Sequence, residues 1–186
     1  MISRRTLIAC FTLGLAKNAL AEIHPSVSFM NLVGRDMLHA HRQGTVSAFM
    51  RVIQRYADVP GISDYLLGEY EVPKSSQDLY QRGVANFISR YFAEQSRKYP
   101  IAKFEIGEAT VGENKDIFVS SKVYLMSGQD YNVSWHLSWI DRSYKVIDAK
   151  VLGFSLTYWE RGDFTQFLKK NNGDVNVLIA ALNRQN

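Results

Sequence analysis

All four prolines of the chain, Pro25, Pro60, Pro73 and Pro100, fall in its first hundred residues, and beyond Pro100 the apolar period changes from 3.6 to 2. That switch constrains the fold more than any other feature, because a helix-period segment does not settle as a strand, nor the reverse. It predicts helices first, then a sheet.

After Pro25, Val27, Met30, Val33, Met37 and Leu38 recur at helical spacing, and a second helix starts near Thr45 with Val46, Phe49, Met50, Ile53 and Tyr56. A short segment over 62–70 follows Pro60-Gly61. The strongest helix covers 76–99, with Ser75 and Asp78 as a capping pair in front of a broad aromatic face made by Tyr80, Val84, Phe87, Ile88, Tyr91 and Phe92. Phe104 and Ile106 then open a strand, and Ile117, Val119, Val123 and Leu125 alternate with more polar neighbours in the next. Ser127-Gly128-Gln129-Asp130 closes a hairpin. Tyr131, Val133, Trp135, Leu137 and Trp139 give the clearest alternation, and Asp141-Arg142-Ser143 turns the chain into a fourth strand over 144–152. Beyond Gly153 the spacing is helical again, with Asp174 capping a last helix that carries Val175, Leu178, Ile179 and Leu182. The expected class is α+β, an antiparallel sheet of about four strands covered on one face by N-terminal and C-terminal helices.

The first residues serve another purpose. Arg4 and Arg5 form a basic start, residues 7–15 a short apolar stretch, and Ala19-Leu20-Ala21 a small-residue cleavage site. Residues 1–21 are expected to be a cleavable signal peptide, with 22–186 as a single mature domain and the periplasm as destination. Ser3-Arg4-Arg5-Thr6 resembles a twin-arginine export motif, which many ordinary signals also approach. Cleavage removes Arg4, Arg5 and Lys17 but no acid, so the formal charge falls from +4 to +1. That leaves no basic footprint for nucleic acid. It also removes Cys10, the one cysteine, which excludes disulfides and thiol-bound metal from the mature domain.

Candidate chemistry is sparse. His24 adjoins the cleavage site and is expected to be mobile, His39 and His41 do not share a helix face, and His136 lies on the polar side of its strand. No metal site is expected. Gly153-Phe154-Ser155-Leu156-Thr157 lacks the last glycine of a nucleophile elbow. Asp148 is the carboxylate that an acid–base enzyme on such a sheet would use as its base, and a hydrogen-bonded structural acid is the simpler reading. The aromatic surplus is the positive signal, and periodicity alone does not separate a filled core from a lined cavity.

Two stretches carry a resemblance. Residues 57–70, Ala-Asp-Val-Pro-Gly-Ile-Ser-Asp-Tyr-Leu-Leu-Gly-Glu-Tyr, end in a leucine-glycine-x-aromatic element. Residues 144–156, Tyr-Lys-Val-Ile-Asp-Ala-Lys-Val-Leu-Gly-Phe-Ser-Leu, run from an aromatic-x-V-x-D strand into G-F-S-L. With Arg161, Phe164 and a closing helix over 173–182, the chain from Val27 to Asn183 resembles the MlaC, or toluene-tolerance, family of periplasmic phospholipid-binding proteins. Trp159-Glu160 stands where the family more often has an asparagine-tyrosine pair, and His39-Ala40-His41 has no family counterpart. Both are expected to lie outside the lipid pocket.

The resemblance implies a curved, NTF2-like sheet packed with helices around an apolar cavity. It implies a lipid-binding wall of Phe49, Ile53, Phe87, Tyr91, Val123, Leu125, Val133, Trp135, Leu137, Val151 and Phe154. It further implies a monomer without catalytic residues or cofactor, with phospholipid as cargo. The implied partners are an inner-membrane MCE-type ABC transporter complex and, further out, an outer-membrane lipoprotein complex, in a system that maintains outer-membrane lipid asymmetry. A hopanoid-type carrier of the same family, a small NTF2-like enzyme using Asp148, and a solid-cored adaptor are the alternatives.

Overall fold

Among the described residues of the computed structural model, 24–112 and 116–184, helices and strands follow in the predicted order. The expected signal peptide over 1–21 lies outside them. The chain runs α1 (Pro25–Gln43), α2 (Val46–Tyr56), α3 (Val59–Leu67), α4 (Gln77–Lys98), β1 (Ile101–Val111), β2 (Ile117–Leu125), β3 (Asp130–Ile140), β4 (Ser143–Val151), β5 (Phe154–Ser155), α5 (Leu156–Lys170) and α6 (Val175–Leu182).

Helix starts are set by short polar side chains that satisfy otherwise unpaired N–H groups. The Thr45 hydroxyl accepts from Ala48 N–H at 3.3 Å, Asp58 from Gly61 N–H at 3.2 Å, Ser155 from Tyr158 N–H at 3.1 Å and Asp174 from Asn176 N–H at 2.9 Å. His24, expected to be mobile, instead caps α1, its Nδ1 accepting from Ser26 N–H at 3.3 Å while Pro25 opens the helix. The Ser75/Asp78 pair does not cap α4. A single turn of 3-10 helix, Lys74–Ser76, leads into it, with no side-chain bond at its start.

The sheet corrects the expectation of a curved, four-stranded one. It has five antiparallel strands in the order β1-β2-β3-β4-β5, is mostly flat, and does not close. Every strand pairs with its sequence neighbours, so β1 and β5 remain as edges. The fifth strand went unread because it is only two residues long, pairing Lys150 with Ser155 and Val151 with Phe154 across a Leu152-Gly153 turn in which both residues have positive φ. Strong curvature requires bulges or kinks repeated through the strands. The central β2–β3 ladder has none, running without a shift from Ile117 opposite Leu137 to Tyr124 opposite Asp130.

Two apolar cores result. In the first, Met30 and Val33 of α1, Phe49 and Val52 of α2 and Ala93 of α4 pack on Val119 and Leu137 of the sheet. In the second, Ile62 and Leu66 of α3, Tyr80 and Val84 of α4, Phe164 and Leu168 of α5, and Leu178, Ile179 and Leu182 of α6 pack on one another without a strand. Two helical glycines allow close approaches. A Cβ at Gly34 of α1 would run into the Phe104 ring of β1, and one at Gly83 of α4 would sit 2.7 Å from the Asn183 amide nitrogen and 2.9 Å from Leu182 Cβ of α6.

Candidate functional site

The two cores do not fuse. Between them lies a cavity of about 100 Å³. The first core contributes Val33, Met37, Val52, Tyr56 and Phe92 to its wall, and the second Ala57, Ile62, Leu66, Phe87 and Ile88, with Ile53 of α2 beside them. Trp135 of β3, Val146, Asp148 and Ala149 of β4, and Leu156, Thr157 and Glu160 of α5 complete it, with half-exposed Tyr91 beside them.

Four polar side chains of this wall are engaged by protein partners. The Tyr56 hydroxyl donates to Asp36 at 2.7 Å, which raises the phenol's pKa together with burial. Trp135 Nε1 donates to the Ser121 hydroxyl at 2.9 Å. Asp148 Oδ1 accepts both the backbone N–H and the hydroxyl of Thr157, at 3.1 and 3.0 Å, and so ties β4 to the first turn of α5. What the wall presents inward is therefore hydrocarbon and aromatic ring. Glu160 is the exception, because its Oε2 is buried and accepts no hydrogen bond. Burial, reinforced by Asp163 on the same helix, pushes its carboxyl pKa up to about 7.

Of the eleven expected wall residues, Ile53, Phe87, Tyr91 and Trp135 line the cavity. The other seven lie elsewhere. Phe49 and Leu137 are fully buried in the first core, with Phe49 stacked on Phe92 at 5.8 Å. Val123 and Val133 form a small cluster with Ala149 on the sheet, against which Val151 packs, and Leu125 ends β2 half-buried. Phe154 is 67% exposed. Along β3, three residues of one face thus meet three surroundings: Val133 the small cluster, Trp135 the cavity, Leu137 the first core. Alternation finds the face and does not reveal where its opposing layer is missing.

Glu160 is the wall residue that sequence reasoning placed outside the pocket. Its signal was present in the Trp159-Glu160 departure from the family pattern. Trp159 does lie outside, 64% exposed, as do Leu152, Phe154 and Tyr158 in the same stretch of chain. The histidines are accounted for by structure. Gln43 Nε2 donates to His39 Nε2 at 2.6 Å, and His41 Nε2 accepts from Ile101 N–H at 2.9 Å, burial lowering its pKa. His136 stacks on Phe118 at 4.6 Å between ring centroids. No group of three or more His, Cys, Asp or Glu side chains fit to hold a metal occurs among the described residues. None of the described helices is long and apolar enough to cross a membrane.

Comparison with known proteins agrees with this architecture. A family profile described as MlaC protein matches residues 32–184. The fold is shared with a phospholipid-binding protein from Ralstonia solanacearum, solved in complex with a phospholipid, at a TM-score of 0.67 and 16% identity over 83% of this chain and 93% of that one. No curated protein sequence matches.

Proposed function

The chain belongs to the MlaC family of periplasmic lipid-binding proteins, and from that premise we propose that the cavity between its two cores receives the acyl chains of a phospholipid. Its general role is that of a lipid carrier. The observation that carries the finer reading is the wall itself, which is built of hydrocarbon and aromatic ring and on which Tyr56, Trp135, Asp148 and Thr157 spend their hydrogen bonds on protein partners. The phospholipid bound by the Ralstonia protein of the same fold supports it.

The energetics favour a carrier. Each methylene moved from a bilayer must recover about 0.8 kcal/mol, so two long chains need roughly 20–25 kcal/mol from the wall. An apolar wall supplies that by the same burial, which makes loading and release nearly balanced. Sites that enclose ligands of moderate size span about 300–1,000 Å³, so a space of about 100 Å³ admits acyl chains only if its wall parts. The second core, built from helices alone, is the side that moves.

Release needs a surface at which the chains can pass to a partner. Leu152, Phe154, Tyr158 and Trp159 are all more than 60% exposed, next in sequence to Leu156, Thr157 and Glu160 of the wall. Leu152 holds a left-handed conformation that glycine or asparagine would adopt at lower cost. An apolar rim of this kind suits docking at a transporter mouth. The reading continues as the family implies: export by cleavage of residues 1–21, exchange with an inner-membrane MCE-type ABC complex, relay to or from an outer-membrane lipoprotein complex, and maintenance of outer-membrane lipid asymmetry.

The test is native mass spectrometry of the protein after incubation with phospholipid vesicles. A one-to-one adduct that extracts as phospholipid is the expected result. An adduct with a polycyclic triterpenoid mass after expression in a hopanoid-producing host would transfer the reading to a hopanoid-type carrier. An unchanged protein mass would sink both.

A further inference from the structure

The cavity contains one group that a purely apolar cargo leaves without a partner. Glu160 Oε2 is buried on a cavity wall that has no other buried, unpartnered side-chain oxygen or nitrogen among the described residues, and it accepts nothing from them. Among the described residues no cation is paired with it. The adjacent Arg161 guanidinium lies over the Tyr65 ring at 4.8 Å, and the charged or ionisable groups closest in kind are acidic: Asp163 on the same helix, Tyr91 on α4, and Asp148 on the wall. Asp148 is already engaged by Thr157. A buried carboxyl with no partner is costly, and the cost is offset only when a ligand brings a donor.

We propose that Glu160 is a subsite for a primary ammonium group carried by the amphiphile whose chains occupy the cavity. The inference rests on the acyl-chain reading above and adds a head-group preference to it. A primary ammonium offers both positive charge and N–H donors, as in the ethanolamine head of a phospholipid. A quaternary choline head offers the charge without the donor. A glycerol head offers hydroxyl donors without the cation, and its phosphate brings a net negative charge towards three acids. The carboxyl pKa of about 7, raised by burial, falls when such a cation binds, because the charged form then gains a partner. A hydrogen bond between charged groups in a half-buried site corresponds to about a tenfold preference.

The experiment offers the protein mixed vesicles of phosphatidylethanolamine, phosphatidylcholine and phosphatidylglycerol with identical acyl chains, and reads the bound species by native mass spectrometry. The wild-type chain should carry the ethanolamine lipid about tenfold over either other lipid, and Glu160→Gln, nearly isosteric, should bring the three to parity. Equal occupancy in the wild type overturns the proposal without any need of the variant, as does a preference for the choline or glycerol lipid. A preference that survives Glu160→Gln overturns it too. If no phospholipid binds at all, the acyl-chain reading fails and the subsite falls with it, whereas phospholipid bound without head-group preference removes the subsite alone.

Discussion

The two cores that flank the cavity are similar in apolar content and unlike in what holds them. The first is backed by the sheet, so Leu137 and Val119 are fixed by ladder hydrogen bonds as well as by packing. The second is held by side chains between α3, α4, α5 and α6, with Gly83 of α4 close against Leu182 and Asn183 at the end of α6. Widening the cavity towards the second core slides side chains past one another and leaves the β2–β3 ladder whole, with α3 and α5 tethered to β4 at their first turns, by Asp58 N–H on Val146 O at 2.9 Å and by Thr157 on Asp148. Widening it towards the first would deform a continuous β2–β3 register. The cavity therefore has one fixed wall and one adjustable wall, which is what a carrier that must both enclose and release a lipid requires.

Substitutions can break or sharpen that contrast. Leu137→Ala, which empties a fully buried position against the sheet, should cost about 3–5 kcal/mol, whereas Phe87→Ala on the cavity wall should cost about 1–3 kcal/mol because part of its surroundings is already empty. Denaturant melts of the two variants give the difference directly, and equal losses would mean that the cavity wall is packed as tightly as the core. Gly83→Ala should be the more damaging of two glycine replacements, by about 1–3 kcal/mol. Its new methyl meets the Leu182 Cβ beside the α6 backbone, while at Gly34 the obstacle is the outer edge of the Phe104 ring, which can turn. Thermal melts that ranked Gly34→Ala as the worse would mean that the Phe104 ring is held in place and does not turn aside.

A smaller effect is expected at Glu160, and its sign depends on pH. The folded chain raises this carboxyl from 4.5 to about 7, so ionising it opposes folding. The cost is absent below pH 4.5, grows between pH 4.5 and 7, and is complete above that. In lipid-free protein, Glu160→Gln should therefore stabilise the fold by about 1–3 kcal/mol at pH 8 and by almost nothing at pH 4. Melting curves showing the same effect at both pH values would mean that the side chain does not titrate as its surroundings require.

Much of this architecture was legible in the chain. The change of period at Pro100 gave the order of helices and strands, and Thr45 and Asp174 sit where short polar side chains stop a chain from fraying. The elements that escaped are those whose cause is not local. Strand β5 is two residues long and exists because a turn with two positive φ angles folds Phe154 back on Val151. The flatness of the sheet depends on the unbroken β2–β3 register. The cavity escaped for the same reason. Trp135 and Leu137 stand on the same face of one strand and carry the same apolar signal, and only the arrival of α5 and α3 beside one of them decides which meets empty space. At Glu160 the sequence did hold a clue, an acid where the family has a different residue, but the helical phase that turns it inward is fixed by the Ser155 cap and by the bonds between Thr157 and Asp148.

The central claim is that the space between the two cores, and no other surface, receives the lipid. Ala149 lies on the cavity wall, and Ala149→Phe places a ring in that space while leaving the rim at Leu152, Phe154, Tyr158 and Trp159 untouched. The decisive measurement is native mass spectrometry of the wild type and Ala149→Phe side by side after incubation with the same vesicles, each checked for native secondary structure by circular dichroism. The account predicts a one-to-one phospholipid adduct on the wild type and little or none on a folded Ala149→Phe protein. Equal lipid on both would place the cargo elsewhere and contradict it.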